Sequence, residues 1–154
     1  MGPRVIDAAV LDLFSGTGSL GLESLSRGSS LVHFVDKDIQ SINLIRYNTK
    51  NLVDGVPDTG EYKIINSDVL DYLEFCKDIK WDIIFFDPPY KIEEDIMRKA
   101  FDIVSKKMFT KEETLIIYEF FFKREVKEEI KNLKMVKESF FGDKKVIYLK
   151  TLNK

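Results

Sequence analysis

Two short segments of the chain combine residue types that can do chemistry. Asp87-Pro88-Pro89-Tyr90 closes the apolar run Ile83-Ile84-Phe85-Phe86, and Asp12-Leu13-Phe14-Ser15-Gly16-Thr17-Gly18-Ser19-Leu20-Gly21 closes another. An acid on a proline-stiffened turn, followed by tyrosine, suits an exocyclic base amine. The lone pair of such an amine is conjugated into the ring, so the nitrogen is a poor nucleophile. It reacts when held in line with an electrophilic methyl group. Asp87 can accept one N–H hydrogen bond and a backbone carbonyl, most simply that of Pro88, another. Both acceptors stabilise positive charge growing on nitrogen. Pro88 and Pro89 fix φ and stiffen the turn. Tyr90 can stack on the base, a contact worth roughly 1–3 kcal/mol in single-stranded recognition. The base must then be unpaired or flipped out. Asp87 need not be a strong base, because the product loses its proton readily to water. The alternative for the same residues is a Pro-Pro turn whose acid caps a helix beginning near Ile92.

Gly16-x-Gly18-x-x-Gly21 has the spacing of a dinucleotide-binding loop, in which glycines allow a tight turn and close backbone approach to a ligand. Asp36 follows Gly16 by 20 residues, where an acid can accept hydrogen bonds from the hydroxyls of an adenosine ribose. NAD, FAD and S-adenosylmethionine binders share this spacing, and a purely structural strand-to-helix turn would satisfy it too. Asp12 favours S-adenosylmethionine. A carboxylate there attracts the cationic methionine amino group and would repel a pyrophosphate. Asn66-Ser67-Asp68 forms a third polar segment, which also suits the N-cap of a helix from Val69.

Alternating elements must position these segments. Hydrophobic patterning predicts strands over 9–14, 31–35, 62–65, 82–86 and 114–119. Helices are expected over 20–27, 39–52, 69–76, 92–105 and 124–133. A hairpin follows, 135–140 and 145–149 around Gly142-Asp143. The 54–60 stretch reads as a connection within one domain spanning 1–154. Alternation implies an α/β fold with a mostly parallel sheet and helices on both faces. Ligands in such sheets bind beyond the carboxyl ends of the strands, at the topological switch point. The segments at Asp12–Gly21, Asp36, Asp68 and Asp87–Tyr90 all fall at those ends.

Composition narrows the chemistry further. One cysteine, Cys76, excludes an internal disulfide and a cysteine-built zinc site, and suits a reducing cytoplasm. One histidine, His33, leaves no material for a His-rich metal site or a Ser-His-Asp triad, so no metal is expected. His33 lies between Val32 and Phe34 and reads as a packed strand residue; Trp81 and Cys76 read as core. No apolar run reaches the roughly 20 residues that cross a bilayer. The net charge of −2 does not advertise a nucleic-acid binder. Local basic clusters at Lys106-Lys107 with Lys111, Lys123-Arg124 with Lys127, and Lys144-Lys145 read as solvated faces. Phe120-Phe121-Phe122 could line a substrate rim or pack under the last helix.

The glycine segment through Ser26-Arg27 resembles the first motif of class I methyltransferases, in the version of the RsmD family of ribosomal RNA guanine-N2 methyltransferases. Phe34-Val35-Asp36-Lys37-Asp38, Asn66-Ser67-Asp68, Trp81 through Tyr90 and the strand ending at Tyr118-Glu119 are similar as well. The resemblance runs from Val10 to about Leu149. It implies a Rossmann-like, seven-stranded sheet with an antiparallel hairpin strand. The implied cofactor is S-adenosylmethionine, held by Asp12, Phe14, Gly16, Gly18, Gly21, Asp36, Lys37, Asp68 and Val69. Asp68 would approach the adenine amino group, and the Val69 N–H a ring nitrogen. Asp87, Pro88, Pro89 and Tyr90 would be catalytic. The implied partner is small-subunit ribosomal RNA in an assembling particle, met by a cytoplasmic monomer.

Such enzymes carry a basic segment ahead of the glycine motif, whereas only residues 1–8 precede the first strand here. Weak RNA binding is therefore expected of this chain as given. Three other readings compete. An adenine-N6 methyltransferase on DNA or RNA would use the same acid and turn, though no separate target-recognition domain is apparent. A silent S-adenosylmethionine-binding module is opposed by the intact Asp87 and Tyr90. An NAD-dependent oxidoreductase is opposed by Asp12 and by the lack of a His or Tyr-Lys acid–base pair.

Overall fold

The computed structural model describes residues 2–106 and 109–152; Met1 and the Lys107 of the first basic cluster lie outside them. A short 3-10 turn, Gly2–Val5, leads into β1 (Ala9–Leu13), α1 (Ser19–Ser26), β2 (Leu31–Asp36), α2 (Ile39–Gly55) and β3 (Glu61–Asn66). The chain continues through α3 (Val69–Phe75), β4 (Trp81–Phe86), α4 (Glu94–Val104), β5 (Thr110–Phe121), β6 (Leu133–Phe141) and β7 (Lys144–Thr151). The strands form one seven-stranded sheet in the order β3-β2-β1-β4-β5-β7-β6. β3 through β5 are mutually parallel, and β7 runs antiparallel to both β5 and β6. The expected seven-stranded, mostly parallel sheet with an antiparallel hairpin strand is therefore present.

β1, β2 and β4 are buried on both faces, which is why they read as near-continuous apolar runs. One core includes Leu11, Leu13, Phe86, Phe101 and Tyr118, on the side covered by α3 and α4. The other includes Val10, Phe34, Ile42, Ile45 and Phe85, under α1 and α2. β5 behaves differently. Its Thr114, Ile116, Tyr118 and Phe120 are buried, while Leu115, Ile117, Glu119 and Phe121 are only half-buried. One face of the β5–β7 region thus lies open, with a groove of about 510 Å³ over Ile117, Val146 and Tyr148.

The helix expected over 124–133 does not form. Residues 122–132 are turns and irregular chain, keeping an isolated i→i−4 bond from Ile130 N–H to the Val126 carbonyl. A tertiary contact overrides the helical pattern. Glu129 is buried and accepts from the Tyr118 hydroxyl at 2.8 Å and from Arg124 Nη2 at 2.6 Å. Arg124 also donates to the Ile92 carbonyl at 2.8 Å. β5 also begins earlier and ends later than expected, and Phe121 lies on the strand while Phe122 enters the following turn.

Candidate active site

The sheet order places β1 beside β4, although two strands intervene in sequence. The chain reverses direction across the sheet at this switch point. The loops after β1 and β4 therefore face each other, and both polar segments singled out in the sequence flank one crevice. A cavity of about 590 Å³ opens there, within the range of ordinary ligand sites. Phe14 and Gly16 line it from the first loop; Asp36, Lys37 and Asp38 from the end of β2; Asp68 and Val69 from the start of α3; Asp87, Pro88 and Pro89 from the end of β4. Ile92 and Ile96 contribute an apolar wall that sequence reading did not include.

The first loop needs unusual backbone angles. Phe14, Gly16 and Gly18 have φ of 58°, 57° and 81°. A side chain is strained at such angles, which accounts for glycine at 16 and 18. Gly18 also packs against Ile45, and Gly21 meets the Phe34 ring so closely that a Cβ would lie 2.3 Å from it. Neither Gly18 nor Gly21 lines the cavity. They shape the loop and seat α1 on β2, and only Gly16 of the three faces the ligand space.

The carboxylates divide their work. Asp36 accepts from the Gly16 N–H at 2.8 Å and the Asp38 N–H at 2.9 Å, tying the two loops together at the cavity wall. A carboxylate has about four acceptor positions, so lone pairs remain for a ligand. Asp68 caps α3 by accepting from the Leu70 N–H at 2.9 Å and lines the cavity as well. The Val69 N–H lies in the first helical turn, where it has no intrahelical acceptor.

Asp12 departs from expectation. It is 1% exposed and accepts from the Gly21 N–H at 3.0 Å through Oδ2, clamping α1 to the end of β1. Its Oδ1 is buried without a partner, and the residue does not line the cavity. Burial pushes its pKa up to about 8, opposed by the Gly21 hydrogen bond and reinforced by Asp87 and Asp36. Burial therefore favours the protonated form of Asp12, because desolvation penalises the charge.

Asp87 is not spent on capping. α4 begins at Glu94 with Glu93 before it, and the Ile92 N–H bonds the Pro89 carbonyl at 3.1 Å to close an intervening turn. Among the described residues the Asp87 side chain takes no hydrogen bond. Burial raises its pKa, the Glu119 carboxylate raises it further, and Lys144 opposes both. Asp87, Pro88 and Pro89 also line a second, smaller cavity of about 140 Å³ together with Tyr90, Glu119 and Lys144. Glu119 and Lys144 form an ion pair at 3.0 Å. Tyr90 is exposed and sits against Phe121, ring centroids 4.9 Å apart. Sequence reading noted the Tyr118-Glu119 strand end and the Lys144-Lys145 cluster without placing either in the site. The signal available was positional, since Glu119 lies near the carboxyl end of β5.

His33, Trp81 and Cys76 stand apart. His33 is buried, with Nδ1 2.8 Å from the Tyr72 hydroxyl and its ring 4.9 Å from that of Trp81. Burial, with Lys63 adding, lowers its pKa to about 4, so it packs as a neutral ring. Cys76 is half-buried against the core of the α3–α4 side. No group of metal-ligating side chains occurs among the described residues. No helix among them is long and apolar enough to cross a membrane.

The family model described as "Conserved hypothetical protein 95" matches residues 1–150. The chain belongs to this family, that of the RsmD-type methyltransferases. It is 29% identical over 144 residues to "Putative rRNA methyltransferase YlbH" of Bacillus subtilis, covering 92% of this chain and 75% of the relative. It is 27% identical over 119 residues to "Ribosomal RNA small subunit methyltransferase D" of Escherichia coli K12, covering 77% of this chain and 56% of the relative. The alignment thus spans only about half of that relative's length. Among solved structures, "putative methylase HI0767" from Haemophilus influenzae superimposes with a TM-score of 0.79 at 26% identity, covering 98% of this chain and 91% of that one. The RsmD-type fold therefore extends through the β6–β7 hairpin, whose turn brings Lys144 to the Asp87 rim.

Proposed function

We propose that this chain transfers a methyl group from S-adenosylmethionine to the exocyclic N2 amine of a guanine in small-subunit ribosomal RNA. The observation that carries the reading is the position of Asp87-Pro88-Pro89 on the wall shared by the two cavities. A cofactor in the larger one and a base in the smaller one would meet at that turn.

The residues of the larger cavity fit the cofactor. Asp36 supplies acceptors for ribose hydroxyls, Asp68 an acceptor for an adenine amine, and the Val69 N–H a donor for a ring nitrogen. Phe14, Ile92 and Ile96 supply apolar walls. Asp12 stands behind the cavity wall, where its hydrogen bond from the Gly21 N–H holds α1 against the end of β1. S-adenosylmethionine supplies the sulfonium methyl when bound. Asp87 and the Pro88 carbonyl hold the two hydrogens of the target amine, aim its lone pair and stabilise charge growing on nitrogen. The proton then leaves to water. Pro88 and Pro89 keep the turn from relaxing, and Tyr90 offers a face on which the base stacks.

Guanine fits the smaller cavity better than adenine. Its Watson–Crick edge offers three N–H bonds, one on N1 and two on N2. Two neighbouring carboxylates, Asp87 and Glu119, match that row of donors, and Lys144 can donate to O6. Adenine presents an acceptor at N1, which a carboxylate repels. RNA in a small-subunit particle as substrate, and a single domain acting as a monomer, belong to the same proposal; the relative named as a small-subunit ribosomal RNA methyltransferase supports the RNA part.

The test has two stages. Calorimetric titration with S-adenosylhomocysteine should show binding, and NADH should show none. Incubation of small-subunit particles with labelled S-adenosylmethionine, followed by nucleoside analysis, should yield N2-methylguanosine. N6-methyladenosine instead would replace the substrate assignment, and no cofactor binding would overturn the reading.

A further inference from the structure

Beside the Asp87 opening, Tyr90 begins a set of aromatic rings, exposed or half-buried, whose other members the proposed chemistry does not use. Tyr90 contacts Phe121, and Phe121 contacts Phe122 with centroids 5.1 Å apart. The Lys123 ammonium lies 5.7 Å over the Phe122 ring. The row continues across the sheet rim. Phe121 on β5 pairs in register with Lys144 on β7, which pairs with Phe141 on β6. Residues directly opposite one another on adjacent strands share a face. Phe121, Lys144 and Phe141 therefore stand side by side. The Phe122 N–H bonds the Asp143 carbonyl at 3.0 Å, which holds the hairpin turn against the end of β5.

Tyr90 is 62% exposed, Phe122 45% and Phe141 62%. Single exposed rings are ordinary, but a contiguous set beside a cavity marks a binding surface. The interleaved lysines indicate what it binds. Lysine is depleted from the cores of protein–protein interfaces, whereas alternating rings and cations suit single-stranded nucleic acid, whose bases stack and whose phosphates need neutralising.

We propose that Tyr90, Phe121, Phe122 and Phe141, with Lys123 and Lys144, form a track for single-stranded RNA adjoining the target nucleotide. This rests on the reading of the substrate as RNA and adds the path of the strand. A base drawn into the small cavity leaves its neighbours without their stacking partner. The row of rings replaces that partner, while Lys123 meets the backbone and Lys144 joins the track to the target base. Phe140 supplies a control on the same strand. It is as exposed as Phe141 and lies under Lys145, but successive strand residues face opposite ways, so it points away from the track.

The test is fluorescence anisotropy of a labelled, unstructured RNA oligonucleotide and of its duplex, at low salt with saturating S-adenosylhomocysteine. The wild-type chain should prefer the single strand. Phe122→Ser with Phe141→Ser should weaken binding by roughly tenfold or more, with S-adenosylhomocysteine affinity unchanged by calorimetry. Phe140→Ser should leave both unchanged. Crosslinking of 4-thiouridine RNA to the wild-type chain should map to Tyr90, Phe122 or Phe141, a readout that needs no folded variant. Preference for duplex, absence of binding, equal affinity in the double variant, or crosslinks confined to other faces would each overturn the track. Particle methylation by the wild-type chain separates the two ideas: methylation without these effects removes the track alone, and no RNA methylation removes the substrate reading beneath it.

Discussion

Replacing Asp12 by asparagine tests whether the site is built at the expense of the fold. Asp12 keeps its proton until about pH 8 in the folded chain and releases it near the ordinary value of 3.8 when unfolded. Between those values the folded state binds more protons than the unfolded one, so stability falls as pH rises and levels off above pH 8. Each pH unit in that window costs about 1.4 kcal/mol. The accumulated penalty is roughly 2 kcal/mol at pH 5 and roughly 5 kcal/mol at pH 8 by the same conversion. Asparagine has the same shape, still accepts from the Gly21 N–H and does not titrate. Urea unfolding can be followed through Trp81, the only tryptophan and fully buried. The advantage of Asp12→Asn over wild type should therefore grow by about 3–4 kcal/mol between pH 5 and pH 8. Parallel stability curves across that range would refute the argument and mean that Asp12 is solvated or paired.

Other substitutions probe the rest of the site. Asp87→Ala should lower methyl transfer by roughly 10²–10³-fold while S-adenosylhomocysteine affinity stays nearly unchanged; equal loss of both would make Asp87 structural. Asp36→Ala should weaken cofactor binding in a calorimetric titration, because it removes ribose acceptors and frees the Gly16 and Asp38 amides; unchanged affinity would remove the ribose assignment. Glu129→Ala should cost about 3–5 kcal/mol in urea unfolding, since Arg124 is left partly buried without its carboxylate. A loss below about 1 kcal/mol would mean that the pair behaves as a surface ion pair.

The legible parts of this fold were those in which local pattern and tertiary environment agree. β1, β2 and β4 are buried on both faces, so apolar runs announced them. Asp38 and Asp68 cap the helices that follow them, so the starts of α2 and α3 were visible too. Residues 124–133 failed because their charge pattern suits a helix while Glu129 is drawn inward by Tyr118 and Arg124, partners that no local pattern reveals. The glycine spacing was legible as a loop but not as a division of labour. Gly21 is dictated by Phe34 on another strand, a cross-element contact. Glu119 and Lys144 meet at Asp87 only because β7 inserts antiparallel between β5 and β6, a pairing that sequence order hides.

The parallel pairing of β2, β1, β4 and β5 sets the electrostatics of the rim. Asp12, Asp36, Asp87 and Glu119 lie where four strands end; beyond burial, Asp87 and Asp36 raise the proton affinity of Asp12, and Glu119 raises that of Asp87. Such crowding opposes folding and would be relaxed if the acids only capped helices or bonded lysines. Asp36 and Asp68 do hold the loops, and Glu119 does hold Lys144. Among the described residues, Asp87 and one oxygen of Asp12 are left without donors. Of the two, Asp87 lies on the wall shared by the two cavities, where an N–H-rich base edge would meet it. Desolvation of Asp87 opposes folding, and the same unpaired carboxylate would confer affinity and alignment on a bound base.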